Sequence, residues 1–424
     1  MKTTFYSSMR WIISATLLVA ATLNVVAQDA SDASNSSAIQ QVSGCVIDKA
    51  NGEAISSATI VWKGSNISVI SNSEGNFTIK SNHFDGASSL EISSLGYKKK
   101  SVAVADLKAK GNRIEMESGA IDLTQINIYP TDPAKLLKSV INSVADNYQT
   151  EQVMATTFYR ETIKKGWKYA SLSEAVLLVN RFPYGSNRAD ELKIVQGRKS
   201  TDYTRIDTLS FNLEGGPFSA LRMDILKAPY LLFDYDEIEK YDFKMETPLS
   251  NDNDLNYIIE FKQKSSITDP LFFGKLYIDP KKMVITKAVF SMNLENKAEA
   301  TNIFIKRKPI GATVTPILAS YTVIYAETNG KWHYAYSRGD VNFKVKWNKK
   351  FFNSTFYTTI EMAVTNWSPA SEKHLKSEDK MKASVKMNQA VEGFKDSNFW
   401  GNYNIIEPEL PIEKAIEKIK KSIK

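Results

Sequence analysis

Hydrophobic and polar residues alternate along much of the chain with a period of two, the pattern of strands with one buried and one wet face. The clearest run is Val341, Phe343, Val345 and Trp347, interleaved with Asn342, Lys344 and Lys346. Near the start, Val42, Gly44 and Val46 alternate with Ser43, Cys45 and Ile47, and Asn51-Gly52 supplies a hairpin turn. Ala58 to Trp62, Asn76 to Lys80, Ser88 to Leu95 and Ser101 to Val104 follow as short strands closed by turn residues such as Gly64 and Gly96-Tyr97. Short strands spaced by about ten residues predict a small all-β sandwich over residues 39–118.

A connector at 119–131 leads to a different pattern. Asp132 before Pro133 is a polar cap ahead of a first-turn proline, and Leu137, Ile141, Val144 and Tyr148 form an apolar stripe beside Leu136 and Val140. A hairpin is predicted next, from Thr156–Thr162 through Lys164-Lys165-Gly166 to Tyr169–Val179. If it closes with a three-residue turn at Lys165 to Trp167, then Phe158, Arg160, Leu172, Glu174 and Val176 share a face. Arg160 and Glu174 would then be diagonal neighbours able to pair among apolar residues; the alternative is two separate solvent-facing charges. Further strands are predicted at Asn256–Phe261, Leu271–Ile278, Met283–Asn293, Ile317–Ala326, Trp332–Ser337 and from Val341. Pro411 opens a terminal amphipathic helix with Ile412, Ile416, Ile419 and Ile423 on one stripe. The chain is thus read as mainly β, with a β-rich α+β domain at 132–370 containing a few helices and a polar segment plus helix at 371–424. A soluble terminal helix argues against an outer-membrane barrel.

Lys2 and Arg10 precede an apolar run from Ile12 that ends in Val25-Val26-Ala27, which predicts a signal peptide over 1–27 cleaved after Ala27. The run is shorter than the roughly 20 apolar residues of a spanning helix. Residues 28–38 are rich in Ser, Asp, Ala and Asn and read as a flexible leader. Export changes what the formal charge of +7 implies: nucleic acid is excluded as a partner, and the lysines are read as a solvated face. One cysteine cannot form an internal disulfide, so the exported fold depends on its core.

Several segments resemble a known family. Val42-Ser-Gly44-Cys-Val46-Ile-Asp48, Gly52-Glu-Ala-Ile55, Gly75-Asn-Phe77 and Ile92-Ser-Ser-Leu-Gly96-Tyr97 are similar to the carboxypeptidase-regulatory-like, transthyretin-like β-sandwich, with Ala54 where that family usually has proline. The resemblance implies an accessory interaction domain, of a kind that commonly begins exported proteins of Bacteroidetes-like bacteria, and no catalytic zinc centre. The Phe158-Tyr-Arg160-Glu161 strand, Ser173-Glu174-Ala175-Val176 and the terminal Phe399-Trp400-Gly-Asn-Tyr-Asn-Ile-Ile-Glu407-Pro-Glu409 resemble such exported proteins too. Phe273 to Phe290 is similar to part of the curved, open antiparallel sheet of periplasmic lipoprotein carriers.

Sequence motifs for chemistry are missing. His83, His333 and His374 fit neither His-x-x-Glu nor His-Glu-x-x-His, and the chain has no Gly-x-Ser-x-Gly elbow or phosphate-cradling glycine loop. Cys45 has no histidine near it in sequence and reads as a packed thiol. Asp234, Asp236, Glu237 and Glu239 read as a solvated charge run, and Asn251-Asp252-Asn253-Asp254 as a polar hairpin loop without the glycine and terminal glutamate of a calcium site. Trp332, Tyr334, Tyr336 and Trp347 are expected in the core. No catalytic, metal or cofactor residue is assigned, and no cofactor is expected; the pair Arg160 and Glu174 is structural. The expectation is a non-enzymatic binding or scaffolding protein of the periplasm or outer membrane. Its partner would be an envelope protein or outer-membrane transporter component, with lipid or polysaccharide as further partners. A carrier of an acyl or other apolar ligand is the alternative, and a hydrolase with paired carboxylates would need two acids converging in a cleft.

Overall fold

The computed structural model describes residues 40–82, 88–119, 132–186, 188–201, 216–227, 237–251, 254–305, 311–348, 351–383, 385, 387–393, 399–409, 412 and 414. The predicted signal peptide and leader, most of the predicted connector and nearly all of the predicted C-terminal isoleucine stripe lie outside them.

The N-terminal sandwich is built from β1 (Gln40–Asp48), β2 (Thr59–Trp62), β3 (Ser68–Ile70), β4 (Asn76–Ser81), β5 (Ser89–Ser93), β6 (Lys100–Ala103) and β7 (Asn112–Met116). One sheet has the order β4-β1-β7 and the other β3-β2-β5-β6. β1 and β7 pair in parallel, with Val46 opposite Ile114. Val46, Ile60, Trp62, Phe77, Ile79, Leu90, Ile92 and Met116 fill the space between the sheets. Gly75 sits at φ +77, where a Cβ would come within 2.5 Å of the Val46 carbonyl oxygen, so the turn before β4 requires glycine.

Helix α1 (Pro133–Asn142) begins as its sequence signals: Asp132 Oδ1 accepts from the Ala134 and Lys135 amides, and proline fills the first turn. After Ser143 the chain makes one more turn, α2 (Val144–Asn147). Leu137, Val140, Val144 and Tyr148 are buried against the sheet that follows.

That sheet comprises β8 (Val153–Lys165), β9 (Lys168–Arg181), β10 (Glu191–Thr201), β11 (Tyr241–Asn251), β12 (Asp254–Gln263), β13 (Phe272–Asp279), β14 (Val284–Met292), β15 (Ala312–Thr328), β16 (Lys331–Trp347), β17 (Ser354–Pro369) and β18 (Glu392–Gly393). Helices α3 (Pro217–Arg222), α4 (Lys297–Phe304) and α5 (Met387–Ala390) join them. The order is β11-β12-β13-β14-β15-β16-β17-β8-β9-β10-β18, antiparallel except for the short parallel pairing of β18 with β10. The fold is therefore mainly β, a sandwich followed by one large antiparallel sheet with few helices.

The central strands are covered on both faces. β9 is buried almost continuously, as expected for a strand with no wet side. One face carries the main core, with Tyr159, Ala175, Leu177, Phe343, Phe356 and Met362 among it. On the other, Phe158, Val176, Tyr336 and Ala363 pack with Ile70 of the sandwich and with Trp400 and Ile406. The sandwich also reaches the backbone of β17, where Asn66 Nδ2 donates to the Trp367 carbonyl (3.1 Å) and Ser68 Oγ to the Val364 carbonyl (3.1 Å).

One expectation changes: Trp332–Ser337 and the run from Val341, predicted as separate strands, are one strand, β16. Tyr334 and Tyr336 are both buried, as expected, but on opposite faces, because an irregularity pairs Tyr325 with Tyr334 but Ile324 with Tyr336. This bulge turns Tyr334 into the main core and Tyr336 toward the sandwich side.

Candidate functional site

A row of alternating charges crosses the centre of the large sheet. Arg198 of β10 stands opposite Glu174 of β9, Glu174 opposite Arg160 of β8, Arg160 opposite Glu361 of β17, and Glu361 opposite Arg338 of β16. Direct cross-strand partners project to the same face, so each charge has an opposite one beside it. Arg160 Nε donates to Glu174 Oε1 at 2.8 Å, and Arg198 Nε to Glu174 Oε2 at 2.7 Å. Each guanidinium places Nη2 at the same distance from the same oxygen, so one carboxylate holds both. Arg160 Nη1 lies 3.9 Å from Glu361 Oε2, and Arg338 Nη1 donates to Glu361 Oε1 at 3.1 Å. Tyr336 adds a hydroxyl donor to Glu361 at 2.8 Å, and Asp340 accepts from Arg338 Nε at 2.7 Å and from Thr359 at 2.7 Å.

The hairpin that brings Arg160 and Glu174 together differs from its expected form. Lys165 pairs with Lys168 around Gly166-Trp167, and an irregularity between Ile163 and Lys164 resets the register. The two residues are consequently directly opposite, not diagonal, and Arg160 is 2% and Glu174 0% exposed. Burial by itself pushes the Glu174 carboxyl up, but Arg160 and Arg198 outweigh it and hold it below the ordinary carboxylate range. For Arg160, burial disfavours the charged form, yet Glu174 and Glu361 more than compensate. Glu161 faces the other way. Burial raises its carboxyl, while the Tyr159 hydroxyl donates to it at 3.0 Å.

The row is roofed by Phe399–Glu409. Arg160 Nη2 donates to the Ile406 carbonyl at 2.8 Å. Trp400 packs edge-on against Phe158 with ring centres 5.4 Å apart, and the Arg198 guanidinium lies 5.0 Å from the Trp400 ring. The same strap grips the sandwich: Asn404 accepts from the Lys80 amide (2.7 Å) and donates to its carbonyl (3.0 Å), imitating a strand partner. Lys80 Nζ donates to the Gly401 carbonyl at 2.7 Å, Asn72 to the Glu407 carbonyl at 3.2 Å and Ser73 to Glu409 at 2.6 Å. The three sequence segments that resemble exported proteins therefore meet at one place.

A second polar cluster lies under the opposite face. Asp224, 0% exposed, accepts from Arg181 Nη2 (2.6 Å), the Tyr184 hydroxyl (2.7 Å) and the Tyr325 hydroxyl (2.9 Å). Asp190 lies 3.4 Å from Arg181 Nε and accepts from Lys227. Beside this cluster, Ile141, Asn142, Val144, Ala145, Tyr184, Ile225 and Leu226 line a pocket of about 220 Å³.

His333 is buried near this cluster with its ring edge-on to Trp367, centres 4.2 Å apart. Burial and then the positive charge of Arg181 push it down to about 3. The unfolded side chain protonates near about 6.5. The unfolded state therefore binds the proton first, and stability from this group, complete above about 6.5, falls as pH drops toward about 3. Between neutrality and pH about 5, His333→Phe is expected to lose about 2 kcal/mol less stability than the natural chain. Denaturant midpoints at the two pH values measure the difference.

The remaining sequence candidates do not assemble. His374 Nδ1 is 2.9 Å from Glu191, whose carboxyl is lowered to about 2: burial opposes ionisation, and Lys380, the Leu375 amide, His374 and Asn180 overcome it. The Cys45 thiol donates to the Glu74 carbonyl (3.4 Å) and is raised by burial. Glu237 pairs with Lys240, whereas Asp234 and Asp236 lie outside the described residues, as does His83. Asn251 pairs with Asp254 across the β11–β12 hairpin, and Asp252-Asn253 also lie outside the described residues. Among the described residues no group of three or more His, Cys, Asp or Glu is placed to hold a metal. None of the described helices is long and apolar enough to cross a membrane.

Comparison with known proteins bears on the sandwich first. The family model of the CarboxypepD_reg-like domain matches residues 42–128, taking in both sheets. The N-terminal sandwich is a CarboxypepD_reg-like domain. No curated protein matches the chain significantly. Among solved structures, a DUF1329 family protein from Desulfovibrio piger is 14% identical, with 57% of this chain and 96% of that one covered, at a TM-score of 0.25. A candidate outer membrane lipoprotein-sorting protein domain from Vibrio parahaemolyticus is 12% identical over 58% and 96%, also at 0.25. A candidate membrane-associated protein of unknown function from Bacteroides fragilis is 10% identical over 77% and 97%, at 0.15. Likenesses at these scores carry no argument here. The functional reading rests on the CarboxypepD_reg-like domain and on how the strap binds it.

Proposed function

We propose that the chain is a non-enzymatic scaffold of the cell envelope, exported behind residues 1–27. In this reading the CarboxypepD_reg-like domain is the interaction module and the large sheet is its rigid platform. The observation that carries it is the strap Phe399–Glu409, which hydrogen-bonds the sandwich through Asn404 and the charged row through Ile406 at once. A module held by part-buried polar contacts to both the strap and β17 is fixed in orientation, as presentation to a partner requires. The acids of the row are neutralised by arginines, which leaves them poorly suited to proton transfer.

The pocket of about 220 Å³ favours a second reading, a periplasmic carrier of an acyl chain or other apolar ligand. Ligand pockets usually measure about 300–1,000 Å³, so this one is small for an acyl chain, and the contacts of the strap favour the scaffold. Photo-crosslinkers at Lys99 and Lys110 of the CarboxypepD_reg-like domain, compared with one at Lys297 on α4, test the choice in envelope preparations. An envelope protein captured from the first two positions and not from the third is the expected result. An apolar ligand recovered at one molecule per chain, with no crosslinked protein, would replace the scaffold by the carrier.

A further inference from the structure

Two loops at one end of the large sheet present aromatic side chains to solvent in an otherwise well-packed protein. Trp167, at the tip of the β8–β9 hairpin, is 98% exposed. Phe351 and Phe352, between β16 and β17, are 102% and 86% exposed. The tips are neighbours, because β17 pairs with β8: Phe356 lies opposite Lys165, and the Gly166 amide donates to the Thr355 carbonyl at 2.9 Å. Just behind them, Leu318, Asn342, Tyr357 and Lys164 stand in one row across four strands, with Leu318 and Tyr357 exposed.

Along the two tip segments the charge has one sign. Residues 163–169 and 344–355 contain Lys164, Lys165, Lys168, Lys344, Lys346, Lys349 and Lys350 and no acidic side chain. Lys168, Lys344 and Lys346 are exposed, and Lys164 lies 4.6 Å from the Tyr169 ring. Core-forming residues of the same strands, Phe343, Val345 and Phe356, are turned inward and buried. The exposed aromatics are therefore not core residues left over by a poor fit. Trp167 occupies a hairpin turn closed by the pairing of Lys165 with Lys168, and Phe351 and Phe352 lie just ahead of β17.

We propose that this end of the sheet docks on an anionic phospholipid bilayer, with Trp167, Phe351 and Phe352 entering the headgroup region. Aromatic rings favour that region, where an apolar body and a wet surround coexist. Each basic residue held near an anionic surface strengthens binding by about fivefold. Side chains exposed almost completely project beyond their neighbours, which suits a deformable bilayer. A protein pocket would have to be concave at two separate tips. The inference stands apart from the scaffold reading, since it concerns a different surface.

The test uses the processed chain, residues 28–424, and sedimentation with vesicles of phosphatidylglycerol and phosphatidylethanolamine or of phosphatidylcholine alone. The chain is expected to prefer the anionic vesicles by about tenfold or more and to lose most binding when salt rises well above about 0.15 M. The variant Trp167→Ala, Phe351→Ser, Phe352→Ser is expected to bind at least about tenfold more weakly, and so is Lys164→Glu, Lys168→Glu. All five positions lie at the surface end of the sheet, so unchanged thermal midpoints show that the variants fold. Quenching by brominated lipid, present in the natural chain and reduced in Trp167→Phe, places that ring in the bilayer. The proposal is overturned if anionic vesicles do not bind the chain, or if the triple aromatic variant binds as well. It is equally overturned if that variant's only effect is to dissociate a dimer.

Discussion

Glu174→Ala is expected to destabilise the protein by about 3–5 kcal/mol, as when one partner of a buried ion pair is removed. The carboxylate is 0% exposed and neutralises two guanidinium groups, each touching it through Nε and Nη2. Without it, Arg160 keeps Glu361 at 3.9 Å and the Ile406 carbonyl, while Arg198 keeps the faces of Trp400 and Phe399. Those contacts do not replace a negative charge in a dry site. The strap should loosen first, because Ile406 is held by the guanidinium that Glu174 orients. Urea denaturation measures the loss, and limited proteolysis within Phe399–Glu409 measures the loosening. The triple variant Arg160→Met, Glu174→Leu, Arg198→Met is expected to regain most of the stability, since apolar replacement of a buried ion triad is often neutral and Glu361 keeps Arg338. If Glu174→Ala costs under about 1 kcal/mol, the row is no more than a surface ion pair in effect. The stabilisation also has a defined pH dependence. With the folded carboxyl below its unfolded value, it is present above the ordinary carboxylate range and is lost as pH falls through the lowered value.

The alternation that made the chain readable as mainly β is local, and it located most of the strands that the structure contains. The Asp132-Pro133 cap and the Lys164–Lys168 hairpin are equally local signals. What escaped was set by distant neighbours. β17 carries Glu361 within a run of buried residues, a placement that is favourable only because Arg160 and Arg338 flank it from other strands. β10 reads as polar sequence, yet Arg198 belongs inside because Glu174 receives it. Within β16, Gly339 lies where a Cβ would crowd Met223 Cε at 3.0 Å and Ile360 Cγ1 at 3.3 Å, neighbours that come from distant parts of the sequence. The face of Tyr336 depended on a bulge that the alternation of Trp332, Tyr334 and Tyr336 does not reveal. A usable signal did exist: isolated Arg or Glu residues at core-facing positions of long apolar strands, of opposite sign in different strands. That signal identifies candidates for a buried ladder but not its order.

The cluster on the opposite face makes the second large prediction. Asp224→Ala is expected to cost about 3–5 kcal/mol, because the substitution leaves a buried guanidinium and two tyrosine hydroxyls without their common acceptor. Arg181 is 1% exposed, and its Nη1 already has no hydrogen-bond partner among the described residues. It would retain the longer contact of Nε with Asp190 (3.4 Å) and the faces of Tyr184 and Tyr334, which do not replace the lost carboxylate, so relief should come from Arg181→Met added to Asp224→Ala. Glu174 and Arg181 belong to the same strand, seven positions apart, hence on opposite faces and about 23 Å from each other. The two networks share no partner, and their perturbations should add to within about 0.5 kcal/mol. The milder variants Glu174→Gln and Asp224→Asn, alone and combined, keep the fold stable enough for the cycle to be measured by urea denaturation. A coupling above about 1 kcal/mol would mean that the sheet transmits strain between its faces, and the sandwich side could no longer be treated as held independently of the core beneath it.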